Sequence, residues 1–469
     1  MKIEQIYTGC LAQGAYYIVS ENEAVIIDPL RETQPYIDRA KQDNVRIKYI
    51  LETHFHADFV SGHLDLAKET GATIVYGPNA NPSYPVHIAS DGELLKIGKI
   101  SIKVLHTPGH TMESSCFLLF DENGKEYALF SGDTLFIGDV GRPDLAQKSA
   151  SMTQEALAGL LYRSLRSKIM TLPDDVIVYP AHGAGSACGK NMSKETTDTL
   201  GNQKRTNYAL REEMTESDFI QEVTDGLLPP PAYFGMNVAL NKSGYDSYDK
   251  VLERGMKPLS IIDFEAIMNE PEILILDTRT ASDFATGFIP GSVSIGLEGQ
   301  FAPWVGALIP DIKQKIVLIT DVEKTEETIK RLSRVGYDHV IGYLEGGIET
   351  WKKNGKEVDT IERITAEELE IELANDSLVF DVRKPGEYDA EHIENVPSIP
   401  LDFINEKMNL FPKNEPFILH CAGGYRSIIA ASILKSRGFN EVKDVIGGYS
   451  AIAKTNIART NFVCPTTLK

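Results

Sequence analysis

Thr53-His54-Phe55-His56-Ala57-Asp58 follows directly on the apolar run 47–51, so two histidines and an aspartate stand where a strand gives way to a turn. Three more blocks come after it in order: Thr107-Pro108-Gly109-His110-Thr111, Ser131-Gly132-Asp133-Thr134 and Pro180-Ala181-His182-Gly183. Each falls on a turn after a strand, and loops at strand ends can converge on one ion. Imidazole with carboxylate suits zinc, iron or manganese. Seven of the ten histidines lie in the first 182 residues, which places any metal chemistry there.

Around these blocks the pattern alternates short apolar strands with helices. Residues 15–19 and 24–29 read as paired strands closing on a turn at Glu21-Asn22-Glu23. Further strands are expected near 73–76, 101–105, 116–120, 127–131 and 176–179, with helices near 35–43, 62–70 and 153–167. That order predicts two sheets covered by helices. Pro229-Pro230-Pro231 and the Gly/Ser/Asn/Asp-rich stretch through Asp249 read as an ordered linker, because three prolines cannot continue a helix or a central strand.

Beyond the linker the sequence repeats itself. Ile273-Leu274-Ile275-Leu276-Asp277-Thr278-Arg279 matches Leu378-Val379-Phe380-Asp381-Val382-Arg383, and Leu344-Glu345-Gly346-Gly347-Ile348 matches Val445-Ile446-Gly447-Gly448-Tyr449. Each copy also carries a second apolar strand, at 316–320 and 417–420. Apolar strands alternating with helices indicate parallel sheets covered on both faces, here duplicated. Three domains are expected, at 1–255, 256–357 and 358–469, as a length of 469 residues suggests.

The 47 basic and 67 acidic residues give a net charge of −20, which argues against a nucleic-acid or anionic-membrane surface. No apolar run approaches the ~20 residues of a membrane span. Residues 1–5 lack the features of a secretion signal, so a cytoplasmic location is expected. The five cysteines (Cys10, Cys116, Cys188, Cys421, Cys464) are far apart and include no CxxC pair, so reduced thiols are expected.

The four His/Asp blocks resemble the metallo-β-lactamase superfamily, whose fold is an αββα sandwich. Hydrolases of that superfamily usually carry HxHxDH, and the last histidine helps hold a second metal; here that position is Phe59. The chain more closely resembles the persulfide dioxygenase branch, which uses mononuclear non-haem Fe(II). The resemblance implies that His54, His110 and Asp133 bind the iron, leaving positions open for substrate sulfur and dioxygen. It gives His56, Asp58 and His182 the parts of orienting ligands or a bound water, direct ligation being the alternative. In Gly138-Asp139-Val140-Gly141-Arg142-Pro143-Asp144, also similar to this branch, Arg142 either contacts an anionic substrate or braces the site through Asp144. Cys188, in a block resembling bacterial dioxygenase–rhodanese fusions, either lies near a substrate channel or is a small buried side chain.

His420-Cys421-Ala422-Gly423-Gly424-Tyr425-Arg426-Ser427 stands between an apolar strand and a helix. Successive backbone N–H groups and a helix N-terminus would face the sulfur, and both favour a thiolate and a bound anion. Gly423 and Gly424 permit the curl, Tyr425 lies in the same loop, and Arg426 can neutralise a sulfur oxyanion. Four residues separate Cys421 from Arg426, as in rhodaneses, where tyrosine-phosphatase-type loops have one more. The middle copy reads Ile319-Thr320-Asp321-Val322-Glu323-Lys324-Thr325 at the equivalent loop, with Asp321 close to where the cysteine belongs, and resembles a rhodanese that has lost its chemistry.

Together these resemblances imply a persulfide dioxygenase–rhodanese fusion acting in sulfide and persulfide detoxification. Its substrates would be a small-molecule thiol persulfide such as glutathione persulfide, dioxygen, and sulfite or thiosulfate. Neither nucleic acid nor membrane is expected as a partner, and a homo-oligomer is. The competing readings are a zinc-dependent glyoxalase II-like thioester hydrolase fused to a sulfurtransferase, and a non-enzymatic sensor switched at Cys421.

Overall fold

Residues 15–18 and 24–27 are buried on both faces, the condition of a strand pair covered from two sides. They are the centre of the first sheet in a computed structural model that describes residues 1–147 and 151–463. The chain forms two compact units, the first being Met1–Lys250 with Leu332–Gly336, the second Val251–Arg331 and the chain from Tyr337 on.

In the first unit, strands β1 (Lys2–Thr8), β2 (Gln13–Ser20), β3 (Glu23–Ile27), β4 (Arg46–Glu52), β5 (Thr73–Tyr76) and β6 (His87–Ile88) lie in sequence order. The first three pair antiparallel and the rest parallel. A second sheet holds β7 (Leu94–Ile97), β8 (Ile100–His106), β9 (Ser115–Phe120), β10 (Glu126–Gly132), β11 (Ile177–Pro180) and β12 (Asp198–Thr199), again in sequence order. Between the sheets pack Tyr16, Ile18, Val25 and Ile27 from one side and Ile102, Val104, Phe117, Leu119 and Phe130 from the other. Helices Gln34–Gln42 and His63–Thr70 cover the first sheet, and Gln154–Ser164 and Glu216–Thr224 cover the second. This is the expected αββα sandwich. The C-terminal ends of β4, β8, β10 and β11 lead into the four His/Asp blocks.

The stretch read as a linker is not one. Helices Phe234–Ser243 and Tyr248–Gly255 form there, and the first unit runs on to Lys250. Pro229–Pro231 do lie outside any helix, but the residues after them gain tertiary partners that composition does not reveal. Buried Asn241 donates from Nδ2 to the His56 and Phe59 carbonyls, both at 2.8 Å, and accepts from Ser61 N–H at 2.9 Å. The Tyr245 hydroxyl donates to the Ser61 carbonyl.

In the second unit, β13 (Pro258–Leu259), β14 (Ile273–Asp277), β15 (Val293–Ser294), β16 (Lys315–Ile319) and β17 (Val340–Leu344) form a parallel sheet of order β13-β17-β16-β14-β15. A four-stranded parallel sheet follows, β18 (Glu362–Ile364), β19 (Leu378–Asp381), β20 (Phe417–His420) and β21 (Val442–Val445), ordered β18-β21-β20-β19. Among the described residues no helix is long and apolar enough to cross a membrane.

The inter-sheet layer makes a stability prediction. The Phe130 ring is fully buried, 4.9 Å from Tyr16 and stacked 5.3 Å from Tyr179. Phe130→Ala should destabilise the first unit by about 3–5 kcal/mol, read as an earlier urea transition of that unit; an unchanged midpoint would contradict this packing.

Candidate functional site

A metal ligand needs a lone pair aimed at the ion, and the partner of the other ring nitrogen sets which atom carries it. His110 Nδ1 lies 2.9 Å from the Arg142 carbonyl, which can only accept, so Nδ1 carries a proton and, in the neutral ring a ligand requires, the lone pair is on Nε2. His54 Nδ1 lies 2.9 Å from Thr53 Oγ1, whose hydroxyl proton goes to Asp28 Oδ2 at 2.8 Å. The threonine oxygen therefore accepts from His54, and Nε2 is again free. Both Nε2 atoms face Asp133 Oδ2, at 3.8 Å from His54 and 3.4 Å from His110. Burial and the neighbouring imidazoles of His56, His110 and His182 hold His54 well below the ordinary histidine range, in the neutral form a ligand requires.

His110 Nε2 and both Asp133 oxygens are buried without a hydrogen-bond partner. Such orphans are costly unless an ion satisfies them. The donor atoms of His54, His110 and Asp133 lie within 4.8 Å of one another, so the residues present fit a two-histidine, one-carboxylate metal centre.

The remaining motif residues flank this trio. His182 Nε2 stands 3.5 Å from Asp58 Oδ2 and 3.6 Å from Asp133 Oδ1. Donor atoms of His56, Asp58 and His182 form a second group within 4.8 Å, and those of Asp133, His182 and Cys188 a third. His56 turns Nε2 toward Asp28 at 3.0 Å and Glu52 at 3.5 Å. Burial opposes a charge on that ring, yet the two carboxylates hold His56 well above its ordinary range. Burial in turn pushes Glu52 up to about 7. Phe59 stacks on the His56 ring at 4.2 Å. Cys188 is buried, and burial with the nearby Asp58 and Asp133 charges keeps its thiol well above the usual range. Arg142 makes a bidentate pair with Asp144 at 2.6 and 2.7 Å and also donates to the Ala187 and Leu228 carbonyls, which is the bracing geometry. Thr53, Asp28 and Asn241 complete the site although no motif marks them. A threonine directly before the first histidine was the one local signal.

In the second unit, Cys421 follows β20 and is 1% exposed. Gly424 N–H donates to its sulfur at 3.1 Å and the Ser427 hydroxyl reaches it at 3.4 Å. The loop hangs on the Gly447-Gly448 turn: Tyr449 N–H donates to the Cys421 carbonyl at 2.7 Å and Ser450 N–H to the Ala422 carbonyl at 3.0 Å. Gly448 has φ +52°, and a Cβ there would collide with the Cys421 carbonyl. Arg426 pairs bidentately with Glu387 at 2.5 and 2.8 Å, so an entering anion meets a guanidinium already shared with a carboxylate. Arg383 is locked by Asp381 and stacked on Tyr449 at 3.8 Å, a scaffold role that Arg279 and Asp277 repeat in the middle copy.

Register refines the comparison of the copies. Asp277 pairs with Ile319 as Asp381 pairs with His420, so Thr320, one residue before the expected Asp321, stands where Cys421 does. A hydroxyl there cannot carry a persulfide. The cysteines at 10, 116, 188 and 421 are free thiols; Cys464 lies outside the described residues.

Residues 8–182 match the family model of the metallo-beta-lactamase superfamily, and 260–354 and 365–455 match that of the rhodanese-like domain. A crystal structure of a metallo-beta-lactamase from Staphylococcus aureus is 33% identical, with a TM-score of 0.65 over 73% of this chain and 98% of that one. The chain belongs to the metallo-beta-lactamase superfamily, with rhodanese-like domains following. Within the superfamily it is 35% identical over 177 residues to the human mitochondrial persulfide dioxygenase ETHE1, covering 37% of this chain and 65% of that protein. It is 37% identical over 168 residues to a hydroxyacylglutathione hydrolase of Francisella philomiragia, covering 36% and 61%. The chain thus spans less than two thirds of the length of these curated relatives.

The Asp28–Thr53–His54 relay can be cut without changing volume. Thr53→Val should weaken metal binding about 10–100-fold, measured by chelator competition, with the circular dichroism spectrum unchanged. Equal affinity in the variant would mean the relay does not orient His54.

Proposed function

We propose that the first domain oxidises a low-molecular-weight thiol persulfide with dioxygen at mononuclear non-haem iron, giving sulfite and the thiol. Cys421 then moves sulfane sulfur between persulfide and sulfite or thiosulfate. The observation that carries the first half is Phe59. It fills the place of the last histidine of the hydrolase motif and stacks on His56, whose Nε2 faces Asp28 and Glu52. One half of a paired-metal site is thereby short of a ligand, whereas the His54, His110 and Asp133 half has all three.

Iron, when bound, supplies the redox chemistry with dioxygen that the protein's own side chains lack. The chain's residues do the rest. Thr53 and the Arg142 carbonyl fix His54 and His110 from behind, and Asp133 presents two unpartnered oxygens beside them. Burial of all three excludes bulk water, which strengthens electrostatic interactions with a bound anionic sulfur. At the other site, the Cys421 thiolate attacks the sulfane sulfur of thiosulfate, the S–S bond breaks, and sulfite leaves with the bonding pair. Gly424 N–H and the Ser427 hydroxyl are placed to stabilise charge on the sulfur.

Zinc-dependent thioester hydrolysis is the second reading. Grouping of the His56, Asp58 and His182 donors within 4.8 Å favours it, as does the likeness to hydroxyacylglutathione hydrolase.

Iron-loaded protein given glutathione persulfide should consume oxygen. His110→Ala should lose that activity, while Cys421→Ser should keep it and lose sulfur transfer from thiosulfate. No oxygen uptake, together with cleavage of a glutathione thioester by the zinc form, would establish the hydrolase instead.

A further inference from the structure

In the second unit a cavity of about 630 Å³ opens over the loop that carries Cys421, and much of its wall comes from the copy that has no nucleophile. That volume is within the range of sites that take organic ligands, and a small inorganic anion such as thiosulfate would fill little of it. The active-site loop is seated on this wall. Tyr425 donates its hydroxyl to the Gly296 carbonyl at 2.8 Å, and its ring packs so closely on Gly299 that a Cβ there would lie 3.2 Å from it. Gly299, at φ +116°, holds a conformation that other residues rarely adopt. Behind the loop, Ser294 N–H donates to Ser432 Oγ at 2.9 Å.

The charges lining the cavity are not equivalent. Arg426 is taken by Glu387, and Arg363 by Asp444 at 2.9 Å and Ser282 at 3.2 Å. Two exposed groups are left, Glu298 from the middle copy and Lys384 from the last, and among the described residues neither has an ion-pair partner. A free carboxylate on one wall and a free ammonium on the other match a ligand that carries both charges.

We propose that the middle domain is the substrate-selecting wall of the Cys421 site, with Glu298 and Lys384 holding the ammonium and carboxylate of an amino-acid-derived thiol. This rests on the reading of Cys421 as a sulfur-transfer nucleophile. In the step so positioned, the substrate thiolate attacks the outer sulfur of the Cys421 persulfide. A new S–S bond forms on the substrate, the enzyme's S–S bond breaks, and Cys421 leaves as thiolate. No external oxidant is needed.

The test compares acceptors on the full-length protein with thiosulfate as donor, as kcat/KM per thiolate. The acceptors are glutathione, 3-mercaptopropionate (no ammonium), cysteamine (no carboxylate) and coenzyme A. Glutathione should be preferred. Glu298→Gln should cut its advantage over 3-mercaptopropionate about three- to tenfold through KM, and Glu298→Lys should reverse it. Lys384→Gln should do the same against cysteamine. Sulfur transfer with selectivity unchanged in these variants, or a preference for coenzyme A, would overturn the proposal alone. Failure to form thiocyanate from thiosulfate and cyanide would remove the sulfur-transfer reading and this one with it.

Discussion

The first domain depends on keeping unprotonated imidazole nitrogens and a bare carboxylate together in a buried place. Polar atoms left like this are expensive, and a fold tolerates them only where its surroundings fix each one. Here the fixing comes from the backbone side of each ring. The Arg142 carbonyl holds His110, and Thr53 passes the Asp28 charge on to His54. Asp28 also accepts from Thr53 N–H at 2.8 Å, so one carboxylate anchors both the loop's main chain and its first histidine. The sandwich delivers four strand ends to one edge, and these contacts decide which ring atom each loop presents.

The last domain meets the opposite requirement with different means. The Cys421 sulfur is surrounded by donors, an amide and a hydroxyl, while the carbonyl-directed bonds of the Gly447-Gly448 turn keep the loop curled. The middle copy retains the Asp277–Arg279 lock and the glycine turn at 346–347 but has Thr320 in place of the cysteine. Scaffold and chemistry have therefore separated within one duplicated sequence, and the surviving scaffold now faces the neighbouring loop through Gly296 and Gly299.

Much of this was legible in the residues. Strand-end His/Asp blocks, the duplicated Asp-x-Arg strands and the Cys-to-Arg spacing are local patterns, and local patterns survive in sequence. The contacts that were not legible are all long-range or directional. Nothing in Asn241 or Tyr245 announces that they close over residues 56–61, and the Gly/Ser/Asn-rich composition around them resembles a linker. The Asp28–Thr53 contact, and Arg426's engagement with Glu387, depend on side-chain direction, which spacing does not encode. Motif alignment puts Asp321 only close to the cysteine's place, whereas strand register fixes Ile319 as the end of β16 and so names Thr320.

Asn241 bears on how the protein is made. Its side chain caps carbonyls at His56 and Phe59, the latter 182 residues earlier in the chain. On the ribosome, the metal-motif loop is synthesised early but lacks this cap until the helix Phe234–Ser243 emerges. The contact therefore cannot form before about half of the 469 residues have been made, which sets the earliest point at which the loop's carbonyls at 56 and 59 gain this partner.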